Sequence, residues 1–171
     1  TKILETYTFK NFYELFPEKF NNKTNGVTHR RWLLYANEGL ADLITSRIGE
    51  GWIASPEKEL KKLAAFADDK ATQTALMKVK KDNKIAFGKF VKENYGIEID
   101  PSSIYDAQIK RLHAYKRQLL NLFHIMALYQ ASKANPSGFS MVPHTYIFGA
   151  KAAPSYDYAK RIIELILAVA D

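Results

Sequence analysis

The chain has 171 residues, of which 47% are hydrophobic, and it carries a formal net charge of +7. This hydrophobic content excludes an intrinsically disordered chain. The absence of cysteine excludes a disulfide framework. The sequence also lacks a run of about 18 apolar residues, so it gives no indication of a membrane span. We therefore expect a folded globular chain in a reducing, cytoplasmic setting, with anionic partners favoured by its basic charge.

The first hundred residues predict a mostly helical segment. An irregular, aromatic-rich stretch covers 1–29 and contains a polar loop at 21–28. Asn37 then has the position of an N-cap, followed by apolar residues at helical spacing. The helical patterns cover 30–35, 37–48, 57–65 and 69–95, and Gly96 ends the last of them.

Residues 101–171 change character. Alternating polar and apolar residues at 105–109 and a β-rich run at 145–149 predict two strands, and helical spacing predicts helices over 112–129 and 154–169. The order strand, helix, strand, helix predicts a right-handed crossover and a parallel sheet. Because two strands do not make a stable sheet alone, the pattern is that of a partial α/β domain.

A basic cluster from Lys110 to Gln118 lies where the first strand ends. Ligands of open α/β sheets bind beyond the carboxyl ends of the strands, and a helix N-terminus there supplies free N–H groups. Cations at such a terminus are intrinsically unfavourable, so Lys110, Arg111 and Lys116 favour a phosphate ligand. The pattern alone leaves ordinary surface charge at a helix start as an equal alternative.

Other signals are weaker. Asn25 and Gly26 are typical of a tight turn that can present an amide to a ligand, although an ordinary turn gives the same pattern. Trp32 fits a core position as well as a ligand platform. The segment 149–154 resembles a phosphate-binding loop only loosely. The four histidines lack metal-ligand spacing, so we predict no metal site.

Three segments are similar to the glycogen/starch (α-1,4-glucan) phosphorylase family. Phe16–Trp32 resembles the signature that opens the C-terminal catalytic domain, Gln108–Asn121 resembles the phosphate-site segment, and Gly149–Lys160 resembles a third family segment. The segments are long and specific, and the similarity extends through essentially the whole chain.

The resemblance implies an α/β fold: a partial Rossmann-like domain, a βαβα unit with parallel strands preceded by a mostly helical segment, from a two-domain glycosyltransferase architecture. Residues 1–171 would form a single partial domain, helical over 1–100 and βαβα over 101–171. The implied reaction transfers a terminal glucosyl unit of an α-1,4-glucan to inorganic phosphate, giving glucose 1-phosphate. The implied cofactor is pyridoxal phosphate, and the implied enzyme is an allosteric, cytoplasmic homodimer.

The resemblance also implies site residues. Lys110, Arg111 and Lys116 would gather the cofactor and substrate phosphates, with Lys116 in the first turn of the following helix. All three would be both catalytic and substrate-binding residues, and Lys110 would belong to the cofactor site as well.

Three further residues carry over from the family segments. Asn25 would hydrogen-bond the glucosyl unit, Trp32 would lie beside the cofactor, and Tyr156 would approach it. The family has proline where His29 stands. The lysine that forms the Schiff base is expected downstream of Asp171, so we expect this chain alone to be inactive without the remainder of the phosphorylase chain.

One alternative comes from a different class: a stand-alone basic module that binds anions or nucleic acid through the cluster at 110–117. The affinity of such a module for nucleic acid would depend steeply on salt concentration. The interpretation as a phosphorylase predicts no nucleic-acid partner.

Overall fold

The computed structural model describes residues 1–170, and they fall into two compact units that divide after Val79. Asp171, where the predicted partial domain ends, lies outside the described residues. Among those residues, no helix is both long enough and apolar enough to span a bilayer.

The first unit is helical, and its last helix continues across the division into the second unit. The α-helices up to Tyr95 are α1 (Lys10–Leu15), α2 (Glu38–Ile48), α3 (Gly51–Ala54), α4 (Pro56–Glu59) and α5 (Lys70–Tyr95). Wider π-helical turns cover Leu4–Thr8 and Arg30–Tyr35, and tighter 3-10 turns cover Pro17–Lys19 and Leu60–Phe66. The mostly helical segment predicted before the strands is confirmed.

The prediction of an irregular stretch over 1–29 is wrong for most of residues 4–19, which form the three short helical elements given above. Their aromatic rings pack edge to face on one another. The Phe9 and Phe12 ring centroids lie 6.3 Å apart, and those of Tyr13 and Phe20 lie 5.3 Å apart. Such pairs add stability beyond the area they bury, which explains why short helices form here. The predicted loop at 21–28 is confirmed.

The core of the first unit is built around Trp52, which is fully buried and packs with Ala41 and Ile44 of α2. The side chain of Asn37 accepts a hydrogen bond from the backbone N–H of Leu40 (3.3 Å), so the predicted N-cap is confirmed.

Both ends of α5 follow the predicted pattern. Asp69 Oδ2 accepts hydrogen bonds from the backbone N–H of Thr72 (2.8 Å) and from its hydroxyl (2.6 Å), which caps the helix start. The helix ends at Gly96, whose φ of +70° lies in the left-handed region that glycine adopts without strain.

The second unit contains β1 (Ile104–Ile109), α6 (Gln118–Ala134), β2 (His144–Gly149) and α7 (Asp157–Ala170). The two strands pair in parallel, with Ile104 opposite His144 and Ile109 opposite Gly149. This order and the parallel pairing are compatible with the predicted partial α/β unit. Its core joins Leu112 to Ala159 and Ile162 of α7.

Two helix starts differ from the prediction. The helix predicted over 112–129 begins at Gln118, because His113 is extended (φ −160°, ψ 145°) and Arg117 is left-handed (φ 62°), and neither conformation continues an α-helix. The prediction that Lys116 lies in the first turn of this helix is therefore wrong: it ends a 3-10 turn that precedes α6.

The last helix begins at Asp157 and not at Pro154. The backbone N–H of Tyr156 donates to the carbonyl of Ala153 (3.0 Å). Residues 154–156, predicted as the first helical turn, therefore belong to a separate turn that precedes the helix.

Candidate functional site

A pocket of about 440 Å³ lies beyond the carboxyl ends of β1 and β2. Its lining comes from the segments that follow the two strands: Arg111, Leu112, His113 and Lys116 after β1, and Lys151, Ala152, Ala153, Pro154 and Tyr156 after β2. This is the edge of a parallel sheet at which ligands bind in open α/β folds.

Backbone hydrogen bonds continue the strand pairing into the pocket wall. The N–H of Lys110 donates to the carbonyl of Gly149 (2.9 Å), and the N–H of Leu112 donates to the carbonyl of Lys151 (3.0 Å). Since Ile109 stands opposite Gly149, Arg111 and Lys151 occupy equivalent places two residues past each strand. The sheet itself therefore brings the two basic side chains to one pocket.

Tyr156 closes the wall opposite the first segment. Its hydroxyl accepts a hydrogen bond from the backbone N–H of Ala114 (3.3 Å), and its ring lies 5.3 Å from the ring of His113 at an interplanar angle of 58°. These contacts tie the 3-10 turn after β1 to the segment before α7.

Two glutamine side chains hold the backbone that carries the cations. Gln108 Nε2 donates to the carbonyl of Lys116 (3.3 Å), and Gln118 Nε2 donates to the carbonyl of Arg111 (3.2 Å). Gln118 is 1% exposed, so its hydrogen bond is shielded from water. These side-chain to backbone hydrogen bonds help to fix the places from which Arg111 and Lys116 extend.

The electrostatic character of the pocket is positive. Arg111, Lys116 and Lys151 line it together with His113, and among the described residues no carboxylate does. None of the three cations has an ion-pair partner within residues 1–170. Converging unpaired cations repel one another, and a phosphate offers the oxygens that bind them with charge-assisted hydrogen bonds. The arrangement suits a small phosphorylated anion.

The structure brings together three of the predicted site residues: Arg111, Lys116 and Tyr156 all line this pocket. The side chain of Lys110 is exposed and does not line the pocket, although its backbone adjoins the wall. Lys151 was not among the predicted site residues. The sequence could have indicated Lys151, because it stands two residues past β2 just as Arg111 stands two residues past β1.

The remaining predicted residues belong to the first unit and are described within it. Asn25 lies exposed in the loop at 21–28. Trp32 lies in the turn Arg30–Tyr35, and 61% of its side-chain surface is exposed. The interpretation of Trp32 as a core residue is therefore wrong within the described residues. In the same residues, no group of three or more His, Cys, Asp or Glu side chains could hold a metal ion.

Comparison with known proteins identifies the family. The model of the carbohydrate phosphorylase family matches residues 1–171. The chain is 49% identical over 171 residues to the muscle form of glycogen phosphorylase from Mus musculus and 48% identical to that from Homo sapiens; each alignment covers 100% of this chain and 20% of the relative. It is 47% identical over 169 residues to the brain form from Bos taurus, covering 99% of this chain and 20% of the relative.

The chain therefore belongs to the carbohydrate phosphorylase family, and it spans about a fifth of the length of the curated relatives it matches. The resemblance inferred from the three segments is confirmed. The comparisons give no support to the alternative of a stand-alone anion- or nucleic-acid-binding module.

Proposed function

We propose that the full-length protein containing this chain is an α-1,4-glucan phosphorylase, which transfers a terminal glucosyl unit to inorganic phosphate and releases glucose 1-phosphate. The observation that carries the proposal is the pocket in which Arg111, Lys116 and Lys151 converge without a carboxylate partner. Family membership supports the proposed reaction, and the charge of the pocket supports a phosphate as its ligand.

The cations have two tasks in this reaction. Departure of the glucan chain leaves positive charge on the glucosyl unit, and an adjacent phosphate dianion stabilises that charge. The dianion in turn must be held close to the sugar by fixed positive groups, because fixed charges in a site cost little reorganisation during the reaction. Arg111 suits this task, since its planar guanidinium can bind two phosphate oxygens at once. Lys116 and Lys151 act as point charges from the turn and from the segment after β2.

The pocket also fits the phosphate group of pyridoxal phosphate, because its donor set consists of cations and its volume of about 440 Å³ lies within the range of small-molecule sites. When bound, the cofactor supplies a phosphate group that exchanges a proton with the substrate phosphate. Lys110 and Arg111 would then gather the cofactor and substrate phosphates, Tyr156 would approach the cofactor, and Trp32 would lie beside it, as the family resemblance implies.

Asn25 is proposed as the residue that recognises the sugar. Its side-chain amide offers both a donor and an acceptor to hydroxyl groups, and its place in an exposed loop leaves those groups accessible.

The wider proposal follows the family. The substrates are an α-1,4-glucan and inorganic phosphate in glycogen metabolism, and the full-length protein is an allosterically regulated, cytoplasmic homodimer with two Rossmann-like domains. Residues 1–171 contribute one partial domain to that architecture, and the chain alone lacks activity.

The test is an assay of the full-length protein with a maltooligosaccharide and inorganic phosphate. Glucose 1-phosphate should form, and removal of pyridoxal phosphate should abolish its formation. Omitting phosphate distinguishes phosphorolysis from hydrolysis, because a hydrolase would still release sugar. Release of free glucose alone would reject the proposal.

A further inference from the structure

The loop that carries Asn25 has almost no structure of its own. Within residues 1–170, none of residues 22–27 takes part in a hydrogen bond, an ion pair or a ring contact. Within these residues, Asn25 is therefore connected to the rest of the first unit only through the two ends of the loop.

The two ends are anchored differently. At the start, the Phe20 ring lies edge to face on Tyr13 at 5.3 Å. At the other end, His29 Nε2 lies 2.7 Å from the carbonyl oxygen of Ile53 in the third helix of the unit, α3. A carbonyl oxygen only accepts, so Nε2 carries the proton and donates this bond.

The anchor at His29 is attached to the most buried part of the first unit. The imidazole lies 6.0 Å from the ring of Trp52 at 65°, and Trp52 is 0% exposed. Trp52 Nε1 in turn donates to the hydroxyl of Thr45 on α2 (3.0 Å). His29 thus connects a loop without internal contacts to a side chain that is itself fixed by packing and by a hydrogen bond.

The distance along the chain is short enough for this anchor to control Asn25. Four residues span at most about 14 Å, so a fixed His29 confines Asn25 to a small volume. Without the anchor the loop gains conformations, and binding the sugar must then order it at an entropic cost.

We propose that His29 is a positioning residue, which holds the loop at 21–28 on α3 and places Asn25 for the terminal glucosyl unit. The inference rests on the proposed function, since it takes Asn25 as the residue that binds this unit.

The first test is steady-state kinetics of the full-length protein with His29→Phe and His29→Gln. Phenylalanine keeps a ring against Trp52 but removes the donor, whereas glutamine keeps an N–H donor. His29→Phe should raise the KM for maltooligosaccharide about fivefold, as expected for one lost neutral hydrogen bond, and should leave the KM for phosphate unchanged. His29→Gln should restore most of the loss.

The same two substitutions at the exposed His124 are the matched controls and should leave both KM values unchanged. Equal KM values for His29→Phe and wild type, or equal increases for glucan and phosphate, would overturn the proposal.

A double-mutant cycle tests whether His29 acts through Asn25. In an Asn25→Ala background, His29→Phe should cause no further rise in the KM for maltooligosaccharide, because the residue that the anchor positions is gone. Additive effects would overturn the positioning role.

A readout independent of activity separates this inference from the proposed function. Lys23 lies in the loop, and trypsin cleavage after it reports how freely the loop adopts extended conformations. His29→Phe should be cleaved faster than His29→Gln, and equal rates would overturn the anchoring role. If the wild type forms no glucose 1-phosphate, the proposed function fails, and the cleavage rates still decide whether His29 anchors the loop.

Discussion

The backbone N–H of Leu112 donates a hydrogen bond to the carbonyl of Lys151, at 3.0 Å. This bond joins two segments that are about forty residues apart in the chain, and it continues the pairing of β1 with β2 beyond the last strand residues. Because Leu112 is also buried against α7, the bond is held in place by the core of the second unit. The positive pocket is therefore a direct product of the parallel sheet.

Lys151 should contribute to phosphate binding. Lys151→Ala in the full-length protein removes one charge-assisted hydrogen bond to the phosphate, and we expect the KM for phosphate to rise about tenfold. The control is Lys133→Ala: Lys133 lies over the Tyr129 ring on α6 and does not line the pocket. An equal effect of both substitutions would mean that only the net charge matters.

Arg111 should be the most sensitive cation in the pocket. Arg111→Ala should cost about 3 kcal/mol of transition-state stabilisation, or about a hundredfold in kcat/KM for phosphate. Arg111→Lys should recover only part of the loss, because an ammonium cannot bind two oxygens in parallel. The control is Arg161→Ala, since Arg161 pairs with Glu164 on α7 and should leave the kinetics unchanged.

Lys110 is predicted to act with Arg111, although its side chain does not line the pocket in the described residues. Lys110→Ala should therefore lower kcat/KM on the same scale of about 3 kcal/mol if it binds the cofactor or substrate phosphate. A rate close to that of the wild type would refute its assigned role while leaving that of Arg111 intact.

Trp52 should dominate the stability of the first unit. Trp52→Ala removes a fully buried side chain and should lower the local free energy of unfolding by about 3–5 kcal/mol. Hydrogen exchange of the α2 backbone amides measures this local opening in the full-length protein. Trp32→Ala is the matched control, because 61% of the Trp32 side chain is exposed; α2 exchange as fast as in Trp52→Ala would contradict the assignment of the core.

The capping of α5 should depend on pH. Hydrogen bonds from the hydroxyl and the backbone N–H of Thr72 hold the pKa of Asp69 below its ordinary value. A lowered pKa in the folded state means that Asp69 stabilises the helix fully at neutral pH, and that this contribution is lost as the pH falls through the folded pKa, below about 4.

Asp69→Ala should therefore reduce the hydrogen-exchange protection of the first α5 turn at pH 7. The difference from wild type should shrink as the pH is lowered through the folded-state pKa of Asp69, after correction for the intrinsic exchange rate at each pH. The neighbouring exposed Asp68 provides the control, and Asp68→Ala should leave protection unchanged. A difference for Asp69→Ala that persists undiminished after the Asp69 carboxylate has been protonated would contradict a role for the ionised group.

Much of the fold followed from local patterns. Asn37 and Gly96 are short-range signals with defined backbone consequences, and both strands were found from alternation and β-rich composition. The helix starts at Gln118 and Asp157 were missed, because helical spacing continues through residues that the structure holds in turns. The left-handed Arg117 has no local signal, since non-glycine residues rarely adopt that conformation.

The site was predictable only in part. Arg111 and Lys116 stand in a basic run after a predicted strand, which favoured an anion site but left ordinary surface charge as an equal alternative. Lys151 is a single lysine, and its importance appears only when the register of β1 and β2 is known. His29 was noted only as a departure from the family's proline, and its contact could not be predicted, because its partner carbonyl on Ile53 is separated from it by 24 residues.

The most direct test of the central claim is the formation of glucose 1-phosphate from a maltooligosaccharide and inorganic phosphate by the full-length protein, measured for the wild type and for Arg111→Ala. We predict product formation by the wild type and a loss of about a hundredfold in kcat/KM for phosphate in the variant. No glucose 1-phosphate from the wild type, or equal kcat/KM for the two proteins, would contradict a phosphate site built from the segments that follow β1 and β2.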